Sequence, residues 1–189
     1  NKLEDLKIAD NTILIFITDN GSAMGEHKSE KINPYNAGMR GKKNSEYDGG
    51  HRVPFFIRWK NGNIEAGRDI SQITSHIDVL PTLIDLCNLE DKYQTIYDGK
   101  SLVPLLNNEF YQWNDRILIT DSQRLQHPVK WRKSAVMSDK YRLVNGNELY
   151  NIIEDPSQQN DIAEQHPEMV KQYRDCLLYT SDAADERLG

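Results

Sequence analysis

The run Thr12-Ile13-Leu14-Ile15-Phe16-Ile17-Thr18 leads straight into Asp19-Asn20-Gly21-Ser22. An aliphatic and β-branched run without polar alternation predicts a strand buried on both faces, as in an α/β sheet. The residues after it predict a sharp turn. In open α/β sheets, ligands bind outside the carboxyl ends of the strands, where this turn falls. Asp19 and Asn20 are hard oxygen donors suited to Ca²⁺ or Mg²⁺, and the neutral amide limits the negative charge of such a site. The same residues also suit a plain Asx-type turn, since Asn-Gly is a common turn dipeptide.

Around this strand the chain reads as alternating helix and strand. Leu3, Leu6 and Ile8 form the end of an amphipathic helix that Asp10-Asn11 breaks. A polar, Gly-rich loop extends from Ala23 to Asp48, of the kind that carries function. Val53 to Trp59 predicts a second strand, with a turn at Asn61-Gly62-Asn63. Ile73 to Cys87 predicts a helix with an apolar stripe of Leu80, Leu83, Ile84 and Cys87, and Pro81 is tolerable near its start. The texture then changes. Arg116–Thr120, Ser134–Met137 and Tyr141–Val144 predict short strands, and Asn145-Gly146 signals a hairpin into Glu148-Leu149-Tyr150. Asp155-Pro156 predicts a turn, and Pro167 opens a last helix to about Arg174.

Composition narrows the classes. Of 189 residues, 23 are Lys or Arg and 29 Asp or Glu, giving a net charge of -6. That balance argues against a nucleic-acid partner, which calls for a clustered positive face. The longest apolar run, Ile13 to Ile17, is too short to span a bilayer. Hydrophobic residues are 38% and mean hydropathy is -0.72, low for a chain that builds its own core. With Asn1 rather than Met at the start and no targeting segment in view, a piece of something larger is expected. Cys87 and Cys176 make no disulfide framework.

A second chemistry-bearing segment runs from Gly38 to Pro54. Its glycines let backbone pass close to a ligand, and Arg40, Lys42, Lys43 and Arg52 supply dense positive charge. Such a loop suits an oxyanion. It equally suits a solvated basic loop with Arg52 tied to a nearby carboxylate.

Taken together and in this order, the two segments resemble the sulfatases of the alkaline-phosphatase-like superfamily. There a strand ends in T-D-N-G or S-D-N-G, and a loop R-G-G-K-G-x-x-Y-E-G-G-x-R-V-P follows. Here these are Thr18–Gly21 and Arg40–Pro54. Ile77–Leu83, Asp98–Leu106, Glu148–Asn151 and Asp155-Pro156 match as well, so the likeness covers about residues 1 to 175. It implies an α/β fold: the C-terminal part of a sulfatase, a sheet with flanking helices followed by a small antiparallel sheet plus helix. The domains implied are residues 1–108 of the catalytic domain and 109–175 of a C-terminal subdomain. Residues 176–189 resemble the translation of a sequencing-adaptor read-through and are expected to be a non-native tail.

The resemblance implies a sulfuric ester hydrolase that uses a formylglycine nucleophile and one Ca²⁺. Its substrate would be a small-molecule or carbohydrate sulfate ester, and its location periplasmic or secreted. A phosphonate or phosphate monoester hydrolase of the same superfamily, or a non-catalytic binder of sulfated glycans, is the alternative. Asp19 and Asn20 match two ligands of the cation, and Lys43 the lysine that holds sulfate. Lys42 and Asn44 stand where the family has glycine, and Asp48 where it has Glu. The nucleophile motif C-x-P-S-R or S-x-P-S-R is absent, Cys87 being followed by Asn88-Leu89-Glu90. The remaining cation ligands are expected upstream, and this polypeptide alone is expected to be inactive.

Lesser candidates complete the reading. His51 could face substrate. Asp121–Arg124 and His127–Arg132 form a cationic, aromatic connector in which Arg124 could meet an anion and Trp131 a sugar ring, or Trp131 could pack beneath the connector. His76 reads as a hydrogen-bonded, partly buried histidine, Cys87 as a small core hydrophobe and Arg52 as structural.

Overall fold

A computed structural model describes residues 2–23, 35–62, 64–90, 96–109, 113–126 and 129–186, without side chains over 179–186. Residues 24–34 of the expected long loop, Asn63 of the expected turn, His127 and Pro128 of the connector and the last residues of the tail lie outside this description. The chain divides into two compact units, residues 1–17 with 55–116 and residues 18–54 with 117–189. The segment carrying Asp19, Asn20 and Lys43 thus groups with the C-terminal strands.

The first unit contains α1 (Lys2–Asp5), β1 (Leu14–Ile17), β2 (Phe55–Arg58), α3 (Val79–Leu86) and α4 (Val103–Leu106). β1 and β2 pair antiparallel, with Phe16 opposite Phe56. The expectation of a strand buried on both faces is corrected here. Leu14, Phe16 and Phe56 are about half or more exposed, while Ile15, Ile17, Phe55 and Ile57 point to the covered side. The run is apolar on both faces, but the described residues cover one. Phe55 and Ile57 pack with Ile64, Ile70, Leu86 and Trp113 around Leu102, Leu105 and Leu106, which form this unit's core.

Its anchor is a buried carboxylate. Asp78 accepts the Ser75 N–H at 2.7 Å, the Lys100 N–H at 2.8 Å and Arg116 Nη1 at 2.9 Å on both oxygens. Thr82 Oγ1 donates to the Asp78 carbonyl at 2.6 Å and accepts the Leu102 N–H at 2.9 Å. These bonds, rather than the apolar stripe, set which face of α3 turns inward. Thr82 is buried, whereas Leu80 is exposed and Cys87, which caps the helix, is exposed too. Cys87 is therefore not a core residue, and His76 is exposed rather than partly buried.

The second unit is built on the sheet β3 (Leu118–Asp121), β4 (Ser134–Met137), β5 (Tyr141–Val144) and β6 (Glu148–Asn151), antiparallel in that order. The β5–β6 turn has φ of 50° at Asn145 and 70° at Gly146, the left-handed pair that a tight primed hairpin requires. One face of the sheet presents Val136, Leu143 and Leu149 to Val170, Tyr173 and Leu177 of α5 (Pro167–Glu186). Full burial of such a side chain contributes roughly 1.5–3 kcal/mol. α5 runs past the expected end near Arg174, because Cys176 and Leu177 continue its apolar stripe onto this core. The opposite face presents Arg142, Glu148 and Tyr150, since side chains alternate along paired strands.

Candidate functional site

The turn after β1 and the loop Arg40–Arg52 are interlocked through their backbones. The Gly21 N–H donates to the Gly50 carbonyl at 2.9 Å, and the Lys43 N–H to the Ser22 carbonyl at 3.0 Å. The approach is too close for side chains. A Cβ on Gly21 would lie 1.9 Å from the Gly49 carbonyl oxygen, and one on Gly50 would lie 2.1 Å from that of Ser45. The glycines at Gly21, Gly49 and Gly50 thus let backbone meet backbone, where the sequence had suggested contact with a ligand. In consequence the Asp19-Asn20 pair and Lys43 belong to one piece of structure.

Within the loop, Lys42, Lys43 and Asn44 make a turn closed by the Ser45 N–H on the Lys42 carbonyl at 2.8 Å. Asn44 has φ of 68°, a left-handed conformation that Asn tolerates better than most non-glycine residues, which explains how it replaces a glycine. Lys42 lies outside that region and needs no such tolerance. Lys42, Lys43 and Asp19 are exposed and Asn20 is half-buried.

Beneath the turn sits α2 (Asp48–His51), a single helical turn. Asp48 is fully buried and accepts Arg142 Nε at 3.0 Å, while its own N–H donates to Gln158 Oε1 at 2.8 Å. Arg52 Nη1 lies 3.5 Å from the other Asp48 oxygen, which accepts no hydrogen bond among the described residues. Arg52 is thus tied to a carboxylate in a structural role, as the basic-loop reading anticipated. Burial pulls the Arg142 pKa down, and Asp48 opposes that shift.

The loop is held at three further points. Arg40 donates to Tyr150 Oη at 3.0 Å and the Gln158 carbonyl at 3.1 Å, and its guanidinium stacks over the Tyr47 ring at 3.8 Å. Tyr47 Oη and Tyr150 Oη both donate to Glu148, at 2.8 and 2.5 Å. Burial, then the Glu148 carboxylate, drives both phenol pKa values well above their ordinary range. Asn145 Nδ2 donates to Glu46 at 3.0 Å, and its Oδ1 accepts the Lys133 N–H at 2.8 Å, tying the end of the β3–β4 connector to the same loop.

His51 lies 3.1 Å from the Glu46 carbonyl, so one ring nitrogen is engaged by the loop itself. Burial lowers its pKa, with Asp48 opposing. Arg124 stands exposed in the connector. Trp131 is half-buried with φ of 68°, packs against the sheet core and carries Arg174 at 5.7 Å over its ring. A Cβ on Gly146 would meet Trp131 Cγ at 2.8 Å, so the indole fills the space beside the hairpin. Trp131 thus packs beneath the connector, the second of its two readings. The sequence reading missed Arg142, Glu148, Gln158 and Asn145. A polar residue alternating with apolar ones on a strand looks solvent-facing, and only the covering loop reveals otherwise.

Asp19 and Asn20 fit a hard cation by donor chemistry, but two oxygens are a fraction of the six to eight that Ca²⁺ takes. Among the described residues no group of three or more His, Cys, Asp or Glu side chains converges as a metal site.

Residues 1–89 match the family model described as Sulfatase. Human steryl-sulfatase is 31% identical over 133 residues, covering 69% of this chain and 23% of that protein. The N-acetylgalactosamine-6-O-sulfatase of Bacteroides thetaiotaomicron is 27% identical over 199 residues, covering 94% of this chain and 38% of the relative. The chain therefore spans well under half the length of these relatives. A solved structure from work on glycosaminoglycan metabolism by Bacteroides thetaiotaomicron superposes with a TM-score of 0.73 at 24% identity, over 95% of this chain and 41% of that one, and shows the same fold. Residues 1–89 thus match the sulfatase family, and over most of its length the chain is similar to a partial length of sulfatases.

Proposed function

We propose that this chain supplies the sulfate-holding and part of the cation-holding side of a sulfuric ester hydrolase acting on a carbohydrate sulfate. The observation that carries the reading is the backbone interlock that joins Asp19-Asn20-Gly21-Ser22 to the Lys43 loop. Its support from relatives is the sulfatase family match and the likeness to an N-acetylgalactosamine-6-O-sulfatase.

Asp19 and Asn20 would hold one edge of a Ca²⁺, which when bound offsets charge on sulfuryl oxygens. The Lys43 ammonium lies on an exposed turn and offers a point charge to a sulfate oxygen, countering the charge that builds as sulfuryl transfer proceeds. Lys42 beside it adds long-range attraction for an anionic ester. Arg124 and, less directly, His51 are the residues proposed to face the rest of the substrate, Arg124 on an accessible connector and His51 from within the loop. No described residue is proposed as the nucleophile, because Cys87 lacks the motif and caps a helix in the other unit. A periplasmic or secreted location goes with this reading. No helix among the described residues is long and apolar enough to cross a membrane.

The chain alone is accordingly expected to show no turnover. Hydrolysis of a chromogenic sulfate ester by the purified 189-residue chain, above a Lys43→Ala control, would contradict that.

A further inference from the structure

Among the described residues, the side-chain contacts beneath the Lys43 loop come largely from the polar face of the C-terminal sheet, its hairpin turn and the turn after it. Arg142 on β5 neutralises buried Asp48, Glu148 on β6 takes both phenols, and Gln158 accepts the Asp48 N–H and offers its carbonyl to Arg40. Asn145, in the hairpin turn, holds Glu46. By strand register, Arg142 stands opposite Tyr150 and Val144 opposite Glu148, so these side chains share one face, and α5 takes the other. A four-stranded sheet has no need of this arrangement for its own stability. Its apolar face already has a helix, and a buried ion pair seldom adds stability over apolar packing of similar volume. What the arrangement does supply is a fixed height and orientation for the loop. The Gly49 N–H bonds to the Arg40 carbonyl at 2.8 Å and the Gly50 N–H to the Tyr47 carbonyl at 2.8 Å, so movement of Asp48 is transmitted to the Lys42–Ser45 turn and, through Gly21 and Ser22, to Asp19 and Asn20.

We infer that Arg142, Glu148 and Gln158 are positioning residues for the anion site, with the C-terminal sheet serving as its platform. They touch no substrate. They act through Asp48 and Tyr47 to set Lys43 relative to the Asp19-Asn20 pair. This rests on the proposed role of Lys43, and the experiment separates the two.

Amide hydrogen exchange on the 189-residue chain provides the first readout. In Gln158→Leu, which deletes the acceptor for the Asp48 N–H, the amides of Gly21, Lys43, Gly49 and Gly50 should exchange about tenfold faster, the effect of losing one buried hydrogen bond. The amides of Leu143 and Leu149 should stay within about threefold. Inorganic sulfate, titrated while the Lys43 resonances are followed, provides the second. Arg142→Met should weaken sulfate binding about tenfold, and Arg142→Lys should recover part of it, because charge is restored without the planar fork. Unchanged exchange at the four loop amides, or an equal rise in loop and sheet, would overturn the inference. Should Arg142→Met not fold, Gln158→Leu decides by exchange and sulfate affinity together. Absence of any sulfate response at Lys43 in the unsubstituted chain would instead defeat the functional reading, while the exchange comparison still decides whether the sheet positions the loop.

Discussion

Among the described residues, each unit of this molecule holds a buried Asp–Arg pair, and the two are built differently. Asp78 in the first unit has both oxygens filled, by two backbone N–H groups and Arg116. Asp48 in the second unit takes one firm bond from Arg142, and among the described residues its second oxygen has Arg52 at 3.5 Å and no hydrogen bond. The saturated carboxylate joins the start of α3 to the Lys100 segment and to Arg116, ordinary stitching of a fold. The less satisfied one sits directly under the loop that carries Lys43. A fold can tolerate an incompletely paired charge where that charge holds something else in place, and such compromises concentrate at functional sites.

The largest effects should come from cutting the pairs themselves. Arg142→Met should cost about 5 kcal/mol, because it leaves Asp48 without a hydrogen bond to its carboxylate. Arg116→Met should cost about 3 kcal/mol, since Asp78 keeps two N–H donors. Urea unfolding of both variants checks the order, and a larger loss for Arg116→Met would break the contrast. Adding Asp48→Asn to Arg142→Met should recover a substantial part of the loss by removing the orphaned charge. Next comes the interlock. Gly50→Ala should cost about 1–3 kcal/mol, since its Cβ meets backbone that cannot swing away. An unchanged Tm would show that the turn and loop are not locked.

A smaller effect concerns pH. The His51 pKa is lowered in the folded state by burial, so folding disfavours its charged form. The sign follows from linkage. The contribution is fully present above the unfolded value of about 6.5 and is lost as pH falls from there through the lower folded value. Exchange at the Asp48–His51 amides should therefore rise on mild acidification, and His51→Gln should remove that dependence. A rise on alkalinisation instead would reverse the assignment. Smallest of all, Arg124→Ala should change stability by less than about 0.5 kcal/mol, as expected for an exposed side chain, while weakening sulfated-saccharide binding if its proposed substrate contact holds.

Much of this was readable in the chain. The four C-terminal strands and their Asn145-Gly146 hairpin follow from alternation and turn chemistry, and the Asp19-Asn20 and Lys43 segments stand out by composition and order. Less legible was what depends on long-range packing. The Leu80 and Cys87 stripe suggested the wrong inner face for α3, because Asp78 and Thr82 fix it by hydrogen bonds across 20 residues or more. By alternation alone a charged strand residue such as Arg142 reads as solvent-facing, and no local pattern announces that residues 40–51 cover it. The glycines of the loop were visible, but whether they approach a ligand or another backbone is decided only by where Gly21 lies.

Asp19 and Asn20, the proposed cation donors, and Lys43, the proposed sulfate holder, occupy one mechanically joined element. Titration of the 189-residue chain with Ca²⁺, followed amide by amide, tests it most directly. Shifts are expected at Asp19 to Ser22 accompanied, through the two backbone bonds, by shifts at Lys43 and Gly50, with their joint loss in Asp19→Asn. Shifts that stay within Asp19 to Ser22 and leave Lys43 and Gly50 unmoved, or that appear only elsewhere in the chain, would contradict it.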